Sequence, residues 1–203
     1  MTDSKQTFIK EMINHEILKF GEFQLKSGDK SPFYIDLRLV PSYPKLMKLS
    51  IKLLQEALSD MSNEFILAGL ISAGVPFATG LSLVLDKPLI QIRSKVKDHG
   101  RKKMIEGRFY PEDRVVIVDD LISTGASKLH AIEVIREQEL SIQSILVLID
   151  RRPLAEIGTS LDGIPINSVC TIEDIISIVE NVPLDLTEDR KIQILESIKK
   201  WIT

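Results

Sequence analysis

A single cysteine, Cys170, rules out a disulfide within the chain, and its place inside the apolar stretch Ile164 to Ile172 reads as a buried structural thiol. No stretch approaches the ~20 consecutive apolar residues that a membrane helix needs. The opening MTDSKQTFIK lacks the apolar segment of a secretory signal, so the expected location is cytoplasmic, with no membrane partner. Basic charge is not in excess: 26 Lys and Arg stand against 29 Asp and Glu, for a net charge of −3. With a pI near 5.7, no global field recruits nucleic acid, and an anionic ligand would need a local site. No repeat, low-complexity tract or long Pro/Gly linker divides the 203 residues, and 44% hydrophobic content is ample for one core, so residues 1–203 read as a single domain. The phosphate loops G-x-x-x-x-G-K-[ST] and G-x-G-x-x-G are missing, the latter at least after any strand. The three histidines, His15, His99 and His130, are isolated, and no Cys/His metal box is present.

What is present alternates between helical and extended patterning. Lys5 to Lys19 and Tyr43 to Leu58 have helical periodicity, the second through Leu46, Leu49, Leu53 and Leu54. Phe65 to Leu70, Leu89 to Ile92, Val115 to Val118 and Ser144 to Ile149 read as strands, with helices expected over Val75 to Leu85 and Ser127 to Glu139. A short strand at Ile166 to Val169 and a helix at Ile172 to Asn181 extend the series. Thr187 to Trp201 reads as an amphipathic terminal helix with Trp201 as a packing anchor. Such alternation implies an α/β fold built on a doubly wound, mostly parallel sheet flanked by helices.

The run Arg114 to Ser127, RVVIVDDLISTGAS, joins a buried strand, an acidic pair and a loop of small residues. Val115 to Val118 is the continuous β-branched stretch of a strand buried on both faces. Asp119 and Asp120 are expected to end it, at the strand carboxyl end where open α/β sheets bind ligands. Then come Leu121, Ile122, Ser123, Thr124, Gly125, Ala126 and Ser127, whose hydroxyls and glycine can wrap a phosphate at a helix N-terminus. The same residue types also serve in ordinary caps and turns.

Three other stretches carry charge where chemistry needs it. Arg93 to Gly100, RSKVKDHG, is followed by Arg101, Lys102 and Lys103, and reads as a long mobile loop or hairpin that could bring Lys97 and His99 to a developing negative charge. Phe20 to Arg38 contains a turn at Lys26-Ser27-Gly28-Asp29 between two apolar segments, and combines Lys26, Tyr34 and Arg38. An aromatic face between two cations suits a flat anionic heterocycle. Ile145 to Ile149 runs into Asp150, Arg151 and Arg152, placing Arg151 on the sheet edge that carries the acids.

The string VDDxxSTG resembles the signature of type I phosphoribosyltransferases, which bind phosphoribosyl pyrophosphate (PRPP). Together with FGEFxLKSGxxSPxY and R-x-x-x-K-D-H-G, it makes residues 8 to 151 similar to the orotate phosphoribosyltransferase family. The resemblance implies that family's fold, with a small N-terminal hood over about residues 1–40, a PRPP-binding core over about 60–170 and a C-terminal helix over 185–203. It implies transfer of the phosphoribosyl group from PRPP to orotate in pyrimidine synthesis. Lys26, Tyr34, Ile35, Ser123 and Arg151 would contact orotate; Arg93, Lys97 and His99 would bind PRPP, with Lys97 the catalytic loop lysine. Asp119 and Asp120 would face the ribose hydroxyls, and Thr124 to Ser127 the 5′-phosphate. Mg²⁺ is implied, bound mainly through PRPP near the two acids, with no dedicated protein ligand. A homodimer is implied, each loop reaching the neighbouring subunit's site. Three positions depart from common family patterns: Ser94 replaces a second lysine, Ala73 a lysine before the turn glycine, and Ile35 a second aromatic. Transfer to another base, or a non-catalytic PRPP-sensing regulator with a nucleic-acid surface, are the alternatives; Lys26, Tyr34 and Arg151 count against the first and the acidic pI against the second.

Overall fold

The β-branched runs that suggested buried strands line up side by side in the computed structural model, which describes residues 2–24, 30–59, 61–62, 64–94, 104–184 and 187–202. In chain order the elements are α1 (Asp3–Asn14), β1 (Leu18–Gln24), β2 (Lys30–Ile35), a 3₁₀ turn (Leu37–Ser42), α2 (Pro44–Glu56), β3 (Ile66–Leu70), α3 (Gly74–Leu85) and β4 (Leu89–Ile92). Then follow β5 (Ile105–Glu106), β6 (Arg114–Ile122), α4 (Ala126–Arg136), β7 (Ser141–Asp150), β8 (Ile166–Thr171), α5 (Ile172–Asn181) and α6 (Glu188–Ile202).

Strands β4, β3, β6, β7 and β8 lie parallel in that order, and β5 pairs antiparallel with β4 at the edge, completing a six-stranded sheet among the described residues. All five parallel strands therefore present their carboxyl ends along one edge. Side-chain alternation divides the core in two. Val116, Val118, Leu146 and Leu148 face a cluster built with Phe8, Phe33, Leu54, Phe77 and Ile178. Val115, Ile117, Ile145 and Val147 face the opposite cluster with Ile132 and Ile135 of α4. Helices therefore cover both faces, as doubly wound sheets require. No described helix is long and apolar enough to cross a membrane.

The N-terminal hairpin is docked rather than free. In β2, Ser31, Phe33 and Ile35 are buried while Pro32 and Tyr34 are half-buried, so Phe33 and Ile35 anchor the hairpin in the first core cluster. Helix α6 lies against β2 and α5, burying Ile194 and Ile198 there. Trp201's side chain and the hairpin turn at residues 25–29 lie outside the described residues.

Several boundaries differ from the sequence reading. Helix α1 ends at Asn14, well short of Lys19, because Glu16 adopts a left-handed conformation (φ 53°) and the chain turns into β1. Strand β6 does not stop at its acids. It runs on to Ile122, where Leu121 and Ile122 still pair with Ile149 and Asp150 of β7. Strands β4 and β5, which flank the charged loop after Arg93, pair antiparallel with Ile92 opposite Ile105, and residues 95–103 between them lie outside the described residues.

Candidate active site

The acidic pair sits inside the ladder, so each carboxylate must be satisfied locally. Asp119 is 6% exposed. Its Oδ2 accepts from Lys128 Nζ at 2.6 Å and its Oδ1 from the Asp120 backbone N–H at 3.0 Å. Lys128 is itself 4% exposed and also donates to Leu121 O and, at 3.3 Å, to Ser127 Oγ. Asp120 is half-buried, with Oδ1 accepting from Leu121 N at 2.8 Å. Burial first, and the neighbouring Asp119 charge second, push its carboxyl up to about 6, against the pull of Lys128. One acid is thus pinned as an ion pair and the other is left at the rim, poised near neutrality.

Close packing fixes where that rim lies. Gly74 opens α3 directly behind the pair: a Cβ there would lie 2.4 Å from Val118 O and 2.9 Å from Asp119 Cα, so only glycine fits. The loop after β6 reverses through Gly125 at φ +76°, in the left-handed region, and α4 starts at Ala126 with no side chain capping it. Ser123, Thr124, Ala126 and Ser127 are exposed around this uncapped N-terminus. Amides and hydroxyls converging at the positive end of a helix dipole are suited to a phosphate dianion.

Across the edge, Arg151 follows β7, its backbone N–H held by Ile122 O at 2.9 Å. Its guanidinium is 5% exposed, stacks over the Phe33 ring with Cζ 4.7 Å from the centroid, and donates from Nη2 to Ser31 Oγ at 3.2 Å. Burial lowers its pKa below the usual arginine value, with Tyr34 acting in the opposite sense. A guanidinium already stripped of water is a strong partner for a planar carboxylate. Arg152 points elsewhere: it forks onto Asp150 through Nε to Oδ1 at 3.0 Å and Nη2 to Oδ2 at 2.7 Å, so this pair neutralises itself inside the fold.

Tyr34 stands on the hairpin face opposite Phe33 and Ile35. Its hydroxyl accepts from Arg38 Nη2 at 3.1 Å, and Arg38 also binds Asp36 through Nε at 2.6 Å. The Asp36 hydrogen bond and charge raise the Arg38 pKa above its ordinary value, with Tyr34 and then Asp120 acting in the same sense. Tyr34 packs obliquely on Phe23, with centroids 5.7 Å apart, and lines a cleft of ≈ 290 Å³ with Lys19, Gln24 and Leu39. Ile35 is only 4% exposed and belongs to the core. Its side chain therefore lies on the opposite face of β2 from Tyr34.

Arg93 follows β4 on the same sheet edge, two strands from β6, with Nη2 2.9 Å from Glu106 Oε1. Lys26, Lys97 and His99 lie outside the described residues. The described candidates Asp119, Asp120, Ser123 to Ser127, Tyr34 and Arg151 thus gather at the β6–β7 edge. Sequence reasoning missed Lys128, although the cost of burying two adjacent carboxylates demanded a cation nearby. It also missed Gly74, Ser31 and the Glu106 partner of Arg93.

The profile of the phosphoribosyl transferase domain matches residues 41–185. The orotate phosphoribosyltransferase of Pyrococcus abyssi is 36% identical over 172 residues, 84% of this chain and 94% of that protein. The crystal structure of orotate phosphoribosyltransferase from Aeropyrum pernix superposes with a TM-score of 0.75 at 31% identity, covering 85% of this chain and 98% of that one. Leishmania donovani UMP synthase superposes with a TM-score of 0.82 at 32% identity, over 97% of this chain and 42% of that longer one.

Proposed function

The chain belongs to the phosphoribosyl transferase family, among its orotate phosphoribosyltransferases, and from that membership we propose how the described residues divide the work. The enzyme transfers the 5-phosphoribosyl group of PRPP to orotate, yielding orotidine 5′-monophosphate and pyrophosphate. A ring nitrogen of orotate, giving up its proton to water, forms its bond to the anomeric carbon as the bond to the diphosphate oxygen breaks, and the electron pair of that bond departs with pyrophosphate.

In this reading the β6–α4 segment holds the donor. The loop from Ser123 to Ser127 takes the 5′-phosphate, while Asp119 and Asp120 accept hydrogen bonds from the ribose hydroxyls and favour the positive charge that grows on the sugar. Arg93, with Lys97 and His99 of the charged segment that follows it, meets the charge growing on pyrophosphate. The acceptor is held by Arg151, Ser123, Lys26 and the Tyr34–Ile35 segment, with the Tyr34 ring as the stacking plane. The observation that carries the reading is the convergence at one sheet edge of an acid pair, an uncapped helix N-terminus with exposed hydroxyls, and a desolvated arginine.

Mg²⁺ belongs to the same reading. Among the described residues no group of three His, Cys, Asp or Glu could cage a metal, Asp119 is committed to Lys128, and Asp120 stands at the rim. That donor set fits a hydrated Mg²⁺ carried by the diphosphate and meeting the chain at Asp120. Bound there, the ion would neutralise and orient the leaving group. A homodimer with exchanged loops and a cytoplasmic location complete the proposal, the former tested by light scattering. With PRPP and Mg²⁺ present, orotate should trigger pyrophosphate release and uracil or a purine should not. Release with those bases, or none with orotate, would overturn the reading.

A further inference from the structure

Lys128 is a buried cation that the division of labour above leaves unused. It sits at the third position of α4, where the helix turns its first face back toward β6. Its ammonium spans three acceptors, Asp119 Oδ2, Leu121 O and Ser127 Oγ, which belong to the acid pair, the strand end and the phosphate loop. An ammonium has three protons, and these acceptors occupy the three directions available. With 4% exposure it has no open path to a ligand, so it acts on the reaction through what it holds.

We propose that Lys128 is a positioning residue of the donor site, locking the Asp119 carboxylate to the Ser127 end of the phosphate loop so that sugar and 5′-phosphate are gripped at a fixed separation. This rests on the donor assignment given under the proposed function. Sugar hydroxyls and 5′-phosphate are joined by a short covalent frame, so a loop free to drift relative to Asp119 would satisfy one contact at the other's expense. The acceptor side is organised by other bonds, Arg151 to Ser31 and Arg38 to Tyr34, and should be insensitive to it.

The test is a double-mutant cycle with Lys128→Met, which fills the same space without charge, Asp119→Asn, and the two combined, with Lys128→Gln as a second probe should the methionine variant unfold. Both Michaelis constants and kcat are measured, and PRPP affinity is read separately by calorimetry. Lys128→Met should raise KM and Kd for PRPP about 10- to 100-fold, the worth of lost charge-assisted hydrogen bonds, and leave KM for orotate within about twofold. In the Asp119→Asn background the same change should cost less than about threefold, because the group it acts through is already altered. Full multiplicative losses, or equal movement of both Michaelis constants, would reduce Lys128 to general packing and overturn the inference. If the wild-type protein bound PRPP but did not turn over orotate, the functional reading would fail alone, and the calorimetric cycle would still decide the role of Lys128.

Discussion

Asp120→Asn should stabilise the protein at alkaline pH while impairing turnover. Asn has the shape of Asp and its Oδ1 can keep the bond from Leu121 N–H that Asp120 accepts at 2.8 Å. What it removes is a negative charge that burial and Asp119 disfavour, raising the carboxyl from an ordinary 3.8 to about 6. A shift of roughly two units corresponds to about 3 kcal/mol, and about 2 kcal/mol after allowing for water at this half-buried rim. Because the folded-state pKa lies above the unfolded one, the wild type loses this stability as pH rises from about 4 through 6, and the loss is complete above it. At pH 8 the variant should therefore unfold about 4–8 °C higher than wild type, and near pH 4 the two should coincide. Thermal unfolding followed by circular dichroism at both pH values measures this. A variant less stable at pH 8, or equally stabilised at both, would refute the picture of a charge held against its preference.

Other substitutions probe the scaffold beneath the site. Gly74→Ala forces a Cβ to within 2.4 Å of Val118 O, which backbone cannot yield cheaply; a loss of about 2–3 kcal/mol in urea unfolding is expected, with a fall in kcat/KM because Asp119 is displaced. Arg152→Met leaves Asp150, 1% exposed, without its counter-charge, so about 3–5 kcal/mol should be lost; a change below about 1 kcal/mol would contradict the buried pair. PRPP alone, at about a hundred times its Kd, should add about 2.7 kcal/mol to unfolding, and absence of a thermal shift would count against a donor site that forms without orotate.

The proposed donor half could be read from the sequence because it is contiguous: strand, acids, small-residue loop and helix follow one another between Arg114 and Arg136. Pattern alone misplaced the end of β6, since two acids look like a stop signal until Lys128 and pairing with β7 make their burial tolerable. It overran α1 for a related reason: hydrophobic spacing continues past Asn14, but the left-handed backbone at Glu16 does not register in spacing. The proposed acceptor half is assembled by tertiary contact. Ser31 and Arg151 are 120 residues apart, and their hydrogen bond follows only once the hairpin has docked through Phe33. The inward direction of Ile35 was readable from strand alternation beside Tyr34, yet its residue type drew attention first.

The claim at the centre of this account is that donor and acceptor are held by separate parts of one sheet edge, with Arg151 on the acceptor side. Steady-state kinetics of Arg151→Gln, with orotate and PRPP each varied at saturating concentrations of the other, tests it most directly. KM for orotate should rise at least about tenfold, as expected for a lost charged hydrogen-bond partner, and KM for PRPP should stay within about twofold. A selective rise in the PRPP constant, or unchanged orotate binding, would contradict the account.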